Sequence, residues 1–168
     1  MKKYPASLER ARFLLIFFMI ALTLSGLTAI PLQWELDLLN QWFGMDSFVR
    51  QSWPSLAEWI SRVNDSVQNG YGQYPLLAYG TDWLAFAHVV IAVSFIGPLH
   101  DPVRNIWVLE FGMIACILII PWAVIFGIVR DIPLFWTLID MSFGILGIIP
   151  LWIVRQDILA FSAGVNKT

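Results

Sequence analysis

Long apolar runs separated by short polar stretches dominate the chain, and this alternation predicts its class. Four runs approach the length of about 20 apolar residues that a membrane-spanning helix needs. They are residues 11–30, 80–99, 106–129 and 133–154. The pattern predicts an all-α membrane protein, a four-transmembrane-helix bundle that forms a single integral membrane domain over residues 1–168.

The first apolar run follows a basic start and therefore has to be distinguished from a signal peptide. Its apolar stretch is longer than the usual signal-peptide core of about 7–15 residues. Residues 25–31, S-G-L-T-A-I-P, also lack a clean A-x-A cleavage site. We interpret the run as a retained membrane anchor.

The segment 32–79 between the first two runs is too polar to span a membrane. Apolar residues recur at helical spacing in 34–43 and again from Leu56 to Val67, which predicts two short amphipathic helices. Asn69-Gly70 is expected to end the second helix. Such helices can lie along the membrane surface or fold as a lid over the bundle, and the sequence does not separate the two.

Basic residues predict the orientation of the four spans, because cytoplasmic loops carry an excess of Lys and Arg. With the N-terminus inside, seven of the ten basic residues fall on the cytoplasmic side: Lys2, Lys3, Arg10, Arg12, Arg104, Arg155 and Lys167. The segment 155–168 is then a cytoplasmic tail and 32–79 a helical extracytoplasmic loop. Both termini are expected to be cytoplasmic, in a bacterial-type inner membrane.

Composition agrees with a membrane protein and excludes several functional classes. Hydrophobic residues make up 58% of the chain and charged residues 13%, against about 25% charged in ordinary globular domains. The mean hydropathy is +0.71. The formal net charge of −2 and the scattered basic residues argue against nucleic acid as a partner. Cys116 is the single cysteine, so an intrachain disulfide is impossible.

Some charged residues near the ends of the spans have structural explanations. Asp101, followed by Pro102, is placed to cap the N-terminus of the third span. Asp131 is placed in the same way two residues before Pro133 and the fourth span. Both aspartates are therefore expected to be helix caps.

His88 and Asp140 lie within apolar runs and have no such explanation. Each is about eight residues inside its span, counted from the outer surface, which corresponds to a depth of about 12 Å. An ionised side chain inside a bilayer costs on the order of 2.5–3.5 kcal/mol on insertion scales, so such groups usually find partners. We expect a buried His88–Asp140 contact that is structural or handles protons.

Small residues accompany Asp140 and predict that it faces other helices. Gly144 and Gly147 follow it at helical spacing, and small residues allow helices to approach closely. The third span carries a comparable stripe: Gly112, Cys116, Ala123 and Gly127.

Two further polar groups are expected near the membrane surfaces. Glu110 lies about four residues inside the third span, within reach of Arg104 and His100, and can form an ion pair or a proton-handling site at the inner mouth. Asp82 and Arg130 can pair at the outer surface.

Ligand counting argues against a metal or a haem held by one chain. Two histidines and one cysteine are too few for a zinc, di-iron or bis-histidine haem site, so such a cofactor would need ligands from another chain. Ser142 and Asp140 are two residues apart on one helix and cannot converge with His88 into a triad.

These features favour a small polytopic protein without enzymatic chemistry. It would be a subunit or accessory factor of a larger membrane complex, or a small homo-oligomeric carrier, because four helices enclose little volume alone. The alternative is a proton-coupled transporter or membrane-embedded enzyme in which His88 and Asp140 titrate and Glu110 lies at the inner exit.

Overall fold

A computed structural model describes residues 6–165, and these form helices without any strand. The helices, in chain order, are α1 (Ala6–Leu27), α2 (Leu32–Phe43), α3 (Val49–Ser52), α4 (Pro54–Gln73), α5 (Pro75–Ser94), α6 (Ile96–His100), α7 (Ile106–Val129) and α8 (Leu134–Val165). The prediction of an all-helical chain is confirmed over this range.

Four helical segments are long and apolar enough to cross a membrane: Leu8–Leu27, Pro75–His100, Ile106–Val129 and Leu134–Gly164. Each overlaps one apolar run of the sequence, and the third has the predicted bounds. Only 17–22% of each span is buried within the protein. Most residues of the four helices are therefore exposed or only partly buried within the protein.

The segment predicted as a loop is helical over most of its length, with different bounds. α4 continues through Asn69-Gly70, which was expected to end it, and α5 begins at Pro75 rather than at residue 80. The break lies at Tyr74, whose φ of −133° and ψ of 81° lie outside the helical region. Proline disfavours helical backbone in the residue before it, so Pro75 sets the end of α4.

Asp131 does not cap α8, contrary to the prediction. Its φ of 55° lies in the left-handed region, which aspartate tolerates better than most residues. The N–H of Ile132 donates to the carbonyl of Gly127 at 2.8 Å, and that of Asp131 donates to the carbonyl of Ile128 at 3.3 Å. These two bonds form a Schellman motif, so Asp131 ends α7 instead.

Asp101 also acts differently from the prediction that it caps the third span. Residues 102–105 form a turn, and α7 begins only at Ile106. The carboxylate of Asp101 accepts a hydrogen bond from the backbone N–H of Arg104 at 3.1 Å. It therefore stabilises the turn before the helix.

The predicted tail 155–168 is helical as far as Val165, and residues 166–168 lie outside the described range. Val154 and Ile158 are fully buried, which explains why the helix continues beyond the predicted end of the span. Of the basic residues used for orientation, Lys2, Lys3 and Lys167 also lie outside the described residues.

The chain divides into two compact units, and the single domain over 1–168 stays a prediction. Unit 1 contains Met1–Ala21 and Ile91–Thr168, and unit 2 contains Leu22–Val90. The core of unit 1 consists of Leu8, Ala11, Leu15, Phe95, Leu109, Cys116, Leu151, Val154 and Ile158.

In unit 2 the amphipathic helices α2 and α4 pack against each other in antiparallel directions. The side-chain amide of Gln68 donates to the carbonyl of Gln33 at 2.8 Å, and the hydroxyl of Ser61 donates to Oδ1 of Asn40 at 2.6 Å. Ala57 and Ile60 of α4 are buried. The structure thus has three helices, α2, α3 and α4, in the segment for which the sequence predicts two amphipathic helices, and the loop as a whole stays a prediction.

Candidate functional site

Small residues bring α7 and α8 into close antiparallel contact in unit 1. A Cβ at Gly144 would overlap the carbonyl oxygen of Cys116, and a Cβ at Gly147 would lie 3.1 Å from the sulfur of Cys116. A Cβ at Gly127 would lie 2.7 Å from Oγ1 of Thr137. A larger side chain at Gly144 would meet the backbone of α7 and separate the helices, and at Gly127 or Gly147 it would displace the neighbouring side chain.

The register of the two helices places Asp140 level with Ala123. Thr137 lies against Gly127 on one side of this level, and Gly144 lies against Cys116 on the other. Ala123 has only a methyl group to fill the space opposite the carboxylate. A groove therefore opens at this level.

The groove has a volume of about 560 Å³ and is lined mainly by apolar side chains of α7. Trp122 and Phe126 lie in it with their ring centroids 4.7 Å apart, and Trp122 is exposed. Asp140 and Arg130 are the charged residues of the lining. Arg130 is exposed at the C-terminal end of α7, whereas Asp140 is half-buried within α8.

Asp140 has no side-chain partner among the described residues of unit 1. Its carboxylate makes no hydrogen bond or ion pair with the residues of unit 1 that the structure describes. The hydroxyl of nearby Ser142 donates to the carbonyl of Ile139 at 2.6 Å. We call the region of unit 1 around Trp122, Ala123, Phe126 and Asp140 the open end of the α7–α8 pair.

Glu110 bonds Arg155, a partner that the sequence did not suggest. Nε and Nη2 of Arg155 donate to Oε1 of Glu110 at 3.0 and 2.8 Å, and both side chains are partly buried. The expected partners were Arg104 and His100. The guanidinium of Arg155 reaches Glu110 because the antiparallel register places the two residues side by side on α7 and α8.

A second ion pair joins the beginning of α1 to the end of α8. Nε of Arg10 donates to Oδ2 of Asp157 at 2.9 Å, and Nη2 donates to Oδ1, so the pair is bidentate. Asp157 is buried although the sequence places it in the tail. We call the region around Arg10, Glu110, Arg155 and Asp157 the paired end of the α7–α8 pair.

His88 packs against α1 within unit 2. A Cβ at Gly26 would overlap the Cβ of His88, so the two helices approach closely there. Nδ1 of His88 lies 2.8 Å from the carbonyl oxygen of Leu84, which suits a protonated Nδ1 and leaves Nε2 to accept a hydrogen bond when the ring is neutral. The His88–Asp140 contact would join the two units and stays a prediction.

The remaining predicted groups are distributed between the units. Asp82 lies on α5 in unit 2, and Arg130 directly follows α7 in unit 1, so their pairing also stays a prediction. Among residues 6–165, no three His, Cys, Asp or Glu side chains are grouped so that they could hold a metal ion.

No protein-family model, curated protein or solved structure matches the chain.

Proposed function

We propose that this protein is a small homo-oligomeric carrier of the bacterial-type inner membrane, without enzymatic chemistry of its own. Its four spans would form a bundle with both termini in the cytoplasm and the helices α2–α4 outside. The observation that carries the proposal is the groove of the open end, because it exposes an apolar surface and a carboxylate at the depth of the spans.

A carrier needs a site that a small molecule can reach from the membrane. The volume of about 560 Å³ lies within the range of roughly 300–1,000 Å³ that is typical of small-molecule sites. The low burial of the spans, 17–22% of each, supports association with further copies. The same features fit a subunit or accessory factor of a larger membrane complex, in which another chain would cover the groove.

Native mass spectrometry of the protein released from membranes tests the carrier proposal. We expect a homo-oligomer that retains a small amphiphilic molecule. Ala123→Phe fills the groove and should abolish this retention. Ala160→Phe adds the same bulk to an exposed position of α8 outside the groove and should preserve it. A monomer without a bound small molecule, or a different protein bound in fixed stoichiometry, would contradict the proposal.

The alternative of a proton-coupled transporter needs His88 and Asp140 to titrate with Glu110 at the inner exit. The ion pair between Glu110 and Arg155 gives Glu110 a structural role. It does not favour Glu110 as the group that releases protons at the inner surface. If His88→Ala and Asp140→Asn abolish proton flux into liposomes while the protein stays folded, the transporter is the better account.

A further inference from the structure

We infer that the open end binds a lipophilic organic cation, with the carboxylate of Asp140 as its counter-charge. The inference rests on the proposed carrier function and names the chemical class of its ligand. Three properties of the groove support it: its charge, its aromatic lining and its apolar extent.

The charge of the groove favours a cation at the level of Asp140. A carboxylate within an apolar membrane segment is costly unless an opposite charge compensates it, and unit 1 supplies no bonded cation among its described residues. Arg130 lines the same groove but is exposed at the end of α7. The helix C-terminus there carries partial negative charge, which disfavours an anion as the ligand.

Besides the carboxylate, the groove has aromatic side chains, which also bind organic cations. Trp122 and Phe126 present neighbouring rings, with centroids 4.7 Å apart and planes inclined by 46°. Aromatic faces attract ammonium and related cations, most strongly where water is excluded. The carboxylate and the two rings line one groove, which is the combination that binds a cation with an apolar body.

An inorganic cation fits this groove less well than an organic one. A metal ion such as Ca²⁺ binds about six to eight oxygen ligands. Asp140 is the one carboxylate among the residues that line the groove. Leu118, Ile119 and Ile132 supply apolar surface that would contact the body of an organic ligand instead. Most of the lining comes from α7, which is long and apolar enough to span a membrane, so the ligand would reach the groove from the lipid.

Equilibrium binding of tetraphenylphosphonium to the purified protein in lipid nanodiscs tests the inference. Tetraphenylborate has nearly the same shape and the opposite charge, so it controls for apolar binding, and empty nanodiscs correct for partitioning into lipid. We expect saturable binding of the cation and none of the anion. Asp140→Asn should weaken binding of the cation by about tenfold or more, because it removes the charge without changing the size of the side chain.

Asp131→Asn is the matched control variant. It removes one carboxylate from an exposed residue next to the groove, and asparagine tolerates the left-handed backbone there. We expect its affinity for the cation to stay within about twofold of the unchanged protein, since exposed charges are screened. Comparable losses in Asp131→Asn and Asp140→Asn would overturn the role of Asp140, as would an unchanged affinity in Asp140→Asn.

The outcomes separate the inference from the carrier proposal. Saturable binding of tetraphenylborate that Ala123→Phe removes would overturn the cation inference and leave a carrier of another ligand class. The absence of saturable binding of either ion would also overturn the inference. The carrier proposal would then be decided by the molecule retained in native mass spectrometry.

Discussion

The two ends of the α7–α8 pair use acidic residues in opposite ways. At the paired end, Glu110 and Asp157 each bond an arginine from another helix. At the open end, Asp140 lines a groove and has no partner among the described residues of unit 1. An acid with a partner holds helices together, whereas an acid without one is available to a ligand.

The side chains around the acidic residues are packed more closely at the paired end than at the open end. Leu109, Leu151 and Val154 are fully buried beside the ion pairs of the paired end. At the open end, Trp122 is 67% exposed and Ala123 leaves the space opposite Asp140 unfilled. The apolar contacts that stabilise unit 1 are therefore concentrated at the paired end, and the groove lies where the packing is incomplete.

Asp157→Asn is expected to have the largest effect on stability. Asparagine keeps the size of the side chain but loses the charge and one of the two oxygens that accept from Arg10. Because Asp157 is buried, we expect the midpoint of thermal unfolding in detergent to fall by about 5–10 °C. Tryptophan fluorescence measures this midpoint. An unchanged midpoint would show that the ion pair does not stabilise the paired end.

Glu110→Gln is expected to have a smaller effect of the same sign. Glu110 is more exposed than Asp157, at 32% against 8%, so its carboxylate is less desolvated, although Arg10 is itself 62% exposed. The midpoint should fall by about 2–5 °C. In the double variant with Arg155→Gln, the second substitution should cost less than it does alone, since the partners act together. Additive losses would contradict a direct interaction.

Asp140→Asn is expected to have the smallest effect, with a midpoint unchanged or raised by about 2 °C. The substitution removes a charge from a membrane span without breaking a bond within unit 1, and the uncharged amide is less costly there. Asp157→Asn on the same helix is the matched control. A fall as large as that of the control would assign Asp140 a structural role, as the predicted contact with His88 requires.

The sequence predicts which segments are long apolar helices better than it predicts the residues at which the helices begin and end. The span 106–129 has the predicted bounds because polar turns flank it on both sides. The end of α4 was misplaced because Asn69-Gly70 is a common turn signal, whereas the restriction imposed by Pro75 decides the break. Asp131 fits both the start of α8 and the end of α7, and only the backbone shows its left-handed conformation.

The candidate site could be predicted in part. Asp140 is recognisable because it is an acid in an apolar run, and Gly144 indicates that its face meets another helix. The groove opposite Asp140 depends on the register between α7 and α8, and this register cannot be read from the sequence. Arg155 is 45 residues away from its partner Glu110 in the sequence, and Arg10 is 147 residues away from Asp157. Both ion pairs therefore depend on the same helix packing.

Chemical labelling of the unchanged protein tests most directly whether the open end presents an available carboxyl group. Dicyclohexylcarbodiimide is an apolar reagent that modifies carboxyl groups accessible from the membrane, and peptide mass spectrometry identifies the modified residue. We expect labelling at Asp140 ahead of Glu110 and Asp157, and protection by tetraphenylphosphonium but not by tetraphenylborate. Equal labelling of the three acids, or labelling of Asp140 that tetraphenylphosphonium does not slow, would contradict this account.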